Sequence, residues 1–205
     1  LRVSVTQRCN LNCIYCHAEG ERSPEAELPL GDIREILRVA AMLGMRSVKF
    51  TGGEPLVRED ILEIVEAVPR ELESSLTTNG VLLARFARDL KEAGLTRINV
   101  SLDSLDPECY RTITGHDRLS EVLEGIDAAL AARLTPIKLN MVVLRGINEE
   151  EVEAFLTYVR GNRDLILQLI ELMDLGSCTS HAEINRLEKD LESRSRIILT
   201  RRMHH

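Results

Sequence analysis

Apolar and polar residues along the chain fall into two alternating patterns. Six short stretches read as strands: residues 2–6, 46–51, 74–78, 96–102, 136–144 and 165–173. Between them run stretches with apolar residues at helical spacing. Residues 32–43 carry Ile33, Ile36, Leu37, Ala40 and Leu43 on one face, and Gly44 stands where a helix C-cap belongs. Residues 82–93 show Leu83, Phe86, Ala87 and Leu90 and end at Gly94, and residues 119–132 show Val122, Leu123, Ile126 and Leu130. Residues 60–68 and 149–160 complete the set. Strict alternation of strand and helix implies right-handed crossovers and a parallel sheet, hence an α/β fold. Periodicity alone does not say whether that sheet is open or curled. Past Met173 the pattern changes to a loop over 176–180, a polar helix over 182–191 and a strand over 196–200, followed by Arg201-Arg202-Met203-His204-His205.

Composition narrows the class. A chain of 205 residues supports one sizeable core. Its 44% hydrophobic and 29% charged content is that of a soluble globular protein. Aromatics make up 3% and Trp is absent, so aliphatic residues must fill the core. The net charge of −7, from 33 acids and 26 bases, argues against non-specific nucleic-acid binding and leaves room for a small anionic ligand held by a few bases. No apolar run approaches the roughly 20 residues that span a bilayer, and the first residues read as a strand rather than a secretory signal. Five cysteines, three of them within eight positions, suit a metal site in a reducing compartment better than disulfides. A cytoplasmic location is expected, with neither membrane nor nucleic acid as partner.

The crowded cysteines are Cys9, Cys13 and Cys16, a C-x₃-C-x₂-C loop directly after the first strand. Three thiolates on one loop can bind three corners of a cubane iron–sulfur cluster, leaving the fourth iron open. A zinc site is the alternative, with His17 as fourth ligand at a strained position beside Cys16. Cys109 and Cys178 stand alone and read as packing or surface residues. Thr51-Gly52-Gly53-Glu54-Pro55 follows the second strand, where a bare backbone can bend sharply or simply make a turn. Thr77-Thr78-Asn79-Gly80 and Asn99-Val100-Ser101-Leu102-Asp103 end the third and fourth strands with groups able to bond ribose or carboxylate oxygens. Asp103 and Asp106 read as shaping the turn before Pro107.

The cysteine spacing, with Tyr15 just before the last Cys, resembles the signature of radical S-adenosylmethionine (SAM) enzymes. The resemblance implies a partial (β/α)6 barrel with parallel strands, a [4Fe–4S] cluster on Cys9, Cys13 and Cys16, and SAM chelated by the open iron. It gives Gly53 and Glu54 as contacts to the SAM amino group, and one-electron reduction then yields a 5′-deoxyadenosyl radical. Over nearly the whole chain the sequence is also similar to the GTP 3′,8-cyclase branch, which serves molybdenum cofactor biosynthesis. Segments carrying that similarity include Arg2-Val3-Ser4-Val5-Thr6, Gly52-Gly53-Glu54-Pro55-Leu56-Val57-Arg58, Gly146-Ile147-Asn148 and Ile170-Glu171-Leu172-Met173-Asp174.

By position, the branch resemblance implies that Tyr15, Gly53, Ser101 and Met173 contact SAM. Arg2, Thr77 and Lys138 would contact GTP, as would Lys49, which stands where the family often has Arg and so keeps the charge without the bidentate fork. Read without the resemblance, the three bases are solvated surface charge and Met173 is core. The implied reaction is a lyase step converting GTP to (8S)-3′,8-cyclo-7,8-dihydroguanosine 5′-triphosphate, with an external electron donor and no catalytic side chain in this segment; a homodimer is compatible with it. Residues 1–175 are then the barrel and 176–205 the truncated start of an extension that carries a second cluster in the family, so this segment alone is expected to be inactive on GTP. Two rival readings are a radical SAM peptide-modifying maturase and a non-catalytic zinc- or cluster-binding module.

Overall fold

The computed structural model describes residues 1–16, 27–172 and 189–193. Its strands are β1 (Arg2–Ser4), β2 (Ser47–Thr51), β3 (Glu73–Thr78), β4 (Arg97–Ser101), β5 (Ile137–Val143) and β6 (Leu165–Glu171). The helices are α1 (Leu30–Met42), α2 (Ile61–Glu66), α3 (Leu83–Glu92), α4 (Pro107–Thr114), α5 (Leu119–Ala131) and α6 (Val152–Arg160). All strand pairs are parallel and run in sequence order, β1 to β6, in one six-stranded sheet left open between its first and last strands. The six strands and five of the six helices, α4 excepted, follow the hydrophobic pattern to within a few residues. Met173 and the loop, the strand and most of the helix expected beyond it lie outside the described residues; residues 189–193 are helical.

One helix departs from the expectation. The turn anticipated before Pro107 is the N-terminus of α4: Asp106 caps it by accepting from the Cys109 amide at 2.8 Å, and Pro107 occupies the first position, where a missing N–H costs nothing. Gly115 closes the helix with φ of 75°. Its eight residues bury only Tyr110, Ile113 and Thr114, a face with a single aliphatic residue and so little apolar period to read.

Parallel register and a period of two divide the sheet cleanly. One face carries Val3, Phe50, Leu76, Ile98, Val100, Leu139 and Met141, all buried beneath Ile33, Leu37, Ile64, Leu90, Ile126 and Phe155 of the helices. The opposite face presents Arg2, Lys49, Thr51, Thr77, Asn99, Ser101, Lys138 and Asn140. These are neighbours across the strands: Arg2 pairs with Lys49, Thr77 with Asn99, Asn99 with Lys138 and Ser101 with Asn140. So the fold leaves one polar face open, with the cysteine loop at its carboxyl-end rim. No described helix is long and apolar enough to cross a membrane.

Candidate functional site

The cysteine loop leaves β1 at the carboxyl end of the sheet and is tied down on both sides. On the β2 side, Gly53 donates to Thr6 O at 2.8 Å and Glu54 to Arg8 O at 2.8 Å. A Cβ at Gly52 would stand 2.4 Å from Thr6 O, and one at Gly53 would stand 2.4 Å from Arg8 O. The glycine pair is therefore required by backbone lying on backbone, a cause that motif reading placed with the ligand. On the far side, Asn12 donates to Thr114 O at 3.0 Å and Ile14 to Ile113 O at 2.9 Å, so α4 is the cradle of the loop. Tyr15 packs with Ile113, Leu144 and Leu172, and its hydroxyl donates to Asp103 at 2.6 Å.

Glu54 is fully buried, and protein donors engage both its oxygens. Leu56 N (2.9 Å) and the Thr78 hydroxyl (2.7 Å) bond one oxygen, and Asn79 N (2.6 Å) bonds the other. Its side chain joins the β2 and β3 tips. Desolvation raises its pKa, against the lowering effect of these three donors. The Asn79 side-chain Nδ2 in turn donates to Asn10 Oδ1 at 2.7 Å and lies 3.9 Å from Cys9 Sγ. Thus the β2 tip, the β3 tip and the cysteine loop form one hydrogen-bonded unit.

Within the loop, Cys9 and Cys16 are exposed and Cys13 is half-buried. Burial pushes the Cys13 thiol up to about 12, with Asp103, Cys16 and Cys9 adding in the same sense. Cys9 is also raised, mainly by desolvation. Thiolates crowded together in a setting that disfavours anions call for cationic metal to hold them deprotonated. Among the described residues no three or more His, Cys, Asp or Glu side chains converge on a single ion position. A cubane asks instead for thiolates at separate corners, so the donor set fits three ligands of a [4Fe–4S] cluster. His17, the fourth ligand of the zinc alternative, lies outside the described residues, as do Met173 and Cys178.

Toward the amino ends of the strands, the same polar face forms a cavity of about 340 Å³ lined by Lys49, Ser75, Arg97, Asn99 and Lys138 among others. Desolvation holds the Lys49 ammonium below its ordinary pKa, and the positive charges of Lys138, Arg2 and Arg97 add to the effect. Arg2 reaches Thr51 Oγ1 at 3.3 Å, and Thr77 Oγ1 accepts from Asn99 at 3.3 Å. The structure therefore brings Arg2, Lys49, Thr77 and Lys138 onto one surface, with Ser101 between them and the cysteine loop. Sequence reading left out Arg97, although it is in phase with Asn99 and Ser101 on β4, and Asn140, whose side-chain oxygen is buried with no partner among the described residues. It also undervalued Asp103.

Comparison with known proteins agrees with this geometry. A family model described as the radical SAM superfamily matches residues 3–159. A protein of Methanocella arvoryzae named "Probable GTP 3',8-cyclase" is 48% identical over all of this chain, which spans 67% of that protein. A Methanosarcina mazei protein of the same name is 49% identical, again over all of this chain and 64% of its own length. Among solved structures, Streptococcus suis SuiB bound to S-adenosylmethionine superposes with a TM-score of 0.79 at 20% identity, over 94% of this chain and 46% of that one. The native anSMEcpe structure with bound AdoMet gives a TM-score of 0.73 at 21% identity, over 94% of this chain and 57% of that one. Both show the same open parallel α/β architecture.

Proposed function

The chain belongs to the radical SAM superfamily, and from that premise we propose that it is the barrel of a GTP 3′,8-cyclase acting in molybdenum cofactor biosynthesis. One observation supports the substrate assignment above all: Lys49, Arg97 and Lys138 line a cavity toward the amino ends of the strands, with the charge of Arg2 felt at Lys49. That cavity lies on the same polar sheet face whose carboxyl end carries the three-cysteine loop. A nucleoside triphosphate is an anion of complementary charge, with phosphates for the bases and ribose hydroxyls for Thr77 and Asn99. The names borne by the archaeal relatives point the same way.

In this reading Cys9, Cys13 and Cys16 would hold the cluster. Gly53, Ser101 and Tyr15 would contact SAM, as would Met173 outside the described residues, and Glu54 serves the β2 tip by locking it to Thr78 and Asn79. When bound, cluster and SAM supply reductive cleavage of the sulfonium to a 5′-deoxyadenosyl radical, given an external one-electron donor. The chain's own part is to fix the ribose near the rim by holding the phosphates at the floor, and to keep water out. Residues 1–175 form this barrel, and the chain from 176 begins the extension.

The test is anaerobic reconstitution with iron and sulfide, followed by dithionite, SAM and GTP. 5′-Deoxyadenosine is expected, and it should vanish in Cys13→Ala. GTP should bind, and Lys138→Ala should weaken that binding about tenfold, the worth of one charge-assisted contact. Deoxyadenosine without any GTP binding would remove the cyclase assignment and leave a radical SAM enzyme of another substrate, a peptide among them. Zinc bound in place of iron would remove both.

A further inference from the structure

The bond from Tyr15 to Asp103 has no part in the roles given so far. Asp103 follows β4 and is 3% exposed. Its Oδ1 accepts from Val142 N at 2.8 Å and its Oδ2 from the Tyr15 hydroxyl at 2.6 Å. The backbone beneath the carboxylate is itself fixed. Fully buried Asn148 donates to Asp103 O at 2.7 Å and to Val142 O at 2.9 Å, and accepts from Leu144 N at 2.7 Å. Glu151 accepts from the Ser104 hydroxyl at 2.6 Å and from Leu105 N at 2.7 Å. An aspartate that only shaped a turn would bond nearby amides, as Asp106 does to Cys109 N. Asp103 instead reaches a residue 88 positions away, and that residue sits between two of the three cysteines.

We infer that Asp103 is a positioning residue for the cluster loop: by gripping the Tyr15 hydroxyl from the β4 tip, it sets where Cys13, Cys16 and the Tyr15 backbone stand against the strand ends that receive SAM. This rests on the loop being the cluster and SAM site. The backbone bonds to α4 hold residues 12 and 14, and Cys16 N turns back to Cys13 O at 3.0 Å, but none of these bonds joins the loop to the β4 tip. Tyr15 is the side chain that does, because its ring is packed and its hydroxyl is held by the buried Asp103 carboxyl group. The grip also links the loop, through Asp103 and Val142, to the β4 and β5 tips on which Ser101 and Asn140 stand.

Three proteins test it: Tyr15→Phe, which removes one oxygen; Asp103→Asn, which keeps the volume; and the two combined. After anaerobic reconstitution each is expected to retain its four-iron cluster. Each should bind SAM roughly tenfold more weakly than wild type, with an altered change in the EPR line shape of the reduced cluster on SAM addition. The double variant should be no worse than the poorer single one, because both remove the same bond. Variants that lose thermal stability but keep wild-type SAM affinity and line shape overturn the inference, as does a double variant whose two losses multiply. Should Asp103→Asn not fold, Tyr15→Phe decides alone by the same two readouts. A wild-type protein whose cluster spectrum ignores SAM would overturn the reading of the site itself and this inference with it, whereas a wild-type response shared undiminished by the variants overturns only the grip.

Discussion

At the scale of single residues, the site is shaped more by what cannot be present than by the groups on display. Gly53 is the clearest case. It is exposed, yet a Cβ there would meet two carbonyl oxygens of the loop, Arg8 O at 2.4 Å and Gln7 O at 2.6 Å. Neither is a flexible side-chain end, so the β2 tip and the cysteine loop must move apart to admit it. Gly53→Ala is therefore expected to lose iron uptake on reconstitution while circular dichroism stays that of wild type, since the hydrophobic sheet face and helices are untouched. Retention of the full cluster in that variant would mean that the loop closes onto its metal without the β2 tip. The Thr-Gly-Gly-Glu-Pro motif was legible in the sequence, but its cause was not. A motif shows which residues are needed, whereas only register shows that Thr6 to Arg8 lie across the glycines. Glu54 teaches the same lesson, since its oxygens turn inward to Leu56, Thr78 and Asn79.

At the scale of elements, the strands and long helices were readable because each buries a periodic face, as in α5 with Val122, Ile126 and Ala129. What period cannot reveal is an element whose task is to hold another loop. Helix α4 is one, marked only by Asp106-Pro107 at its start and Gly115 at its end. The segment at Arg58 is a second. Its guanidinium is 4% exposed and donates to Val5 O at 2.7 Å, to Leu28 O at 2.8 Å and to Asp60 at 2.6 Å. One side chain thus pins the exit of β1, the approach to α1 and the start of α2. Removing the acid leaves a nearly buried cation half-served, so Asp60→Asn is expected to cost about 1–3 kcal/mol, read as a lower urea midpoint with an unchanged slope. The Arg58 hydrogen bonds and charge hold the Asp60 carboxyl below its usual range. A depressed folded-state pKa gives stability that is present above the unfolded value and lost as pH falls through the folded one. The gap between wild type and variant should therefore close in acid, and a gap that persists there would mean that packing, not charge, is responsible.

At the scale of the whole molecule, the net charge of −7 conceals a division of sign. Exposed acids such as Glu35, Glu92, Glu124, Asp127 and Glu153 sit on the outer helices, while Arg2, Lys49, Arg97 and Lys138 face inward across the open side of the sheet. A composition average argues against a nucleic-acid surface and says nothing of this local field. Like charges gathered on one face repel, although Arg97 is also paired with Glu73 at 2.6 Å and Arg2, Lys49 and Arg97 are exposed, so solvent screens much of that repulsion in the unliganded protein. Lys49→Gln is accordingly expected to leave the melting temperature of the unliganded protein unchanged or slightly raised, because Lys49 is exposed and solvent screens its repulsion, while weakening GTP binding about tenfold. A loss of affinity with no loss of stability marks a group kept for its ligand rather than for the fold. The pH dependence follows with a definite sign. Lys49 has a lowered pKa, so it sheds its proton earlier than an ordinary lysine as pH rises, and a bound polyphosphate favours the protonated form. The dissociation constant for GTP should therefore increase through the alkaline range, with proton uptake on binding seen as a buffer-dependent heat in calorimetry. In Lys49→Gln both the alkaline increase and the share of proton uptake due to Lys49 should be lost. A wild-type affinity that stays level across that range, or a variant that binds GTP as tightly as wild type, would place the phosphates away from this floor and against another part of the open face.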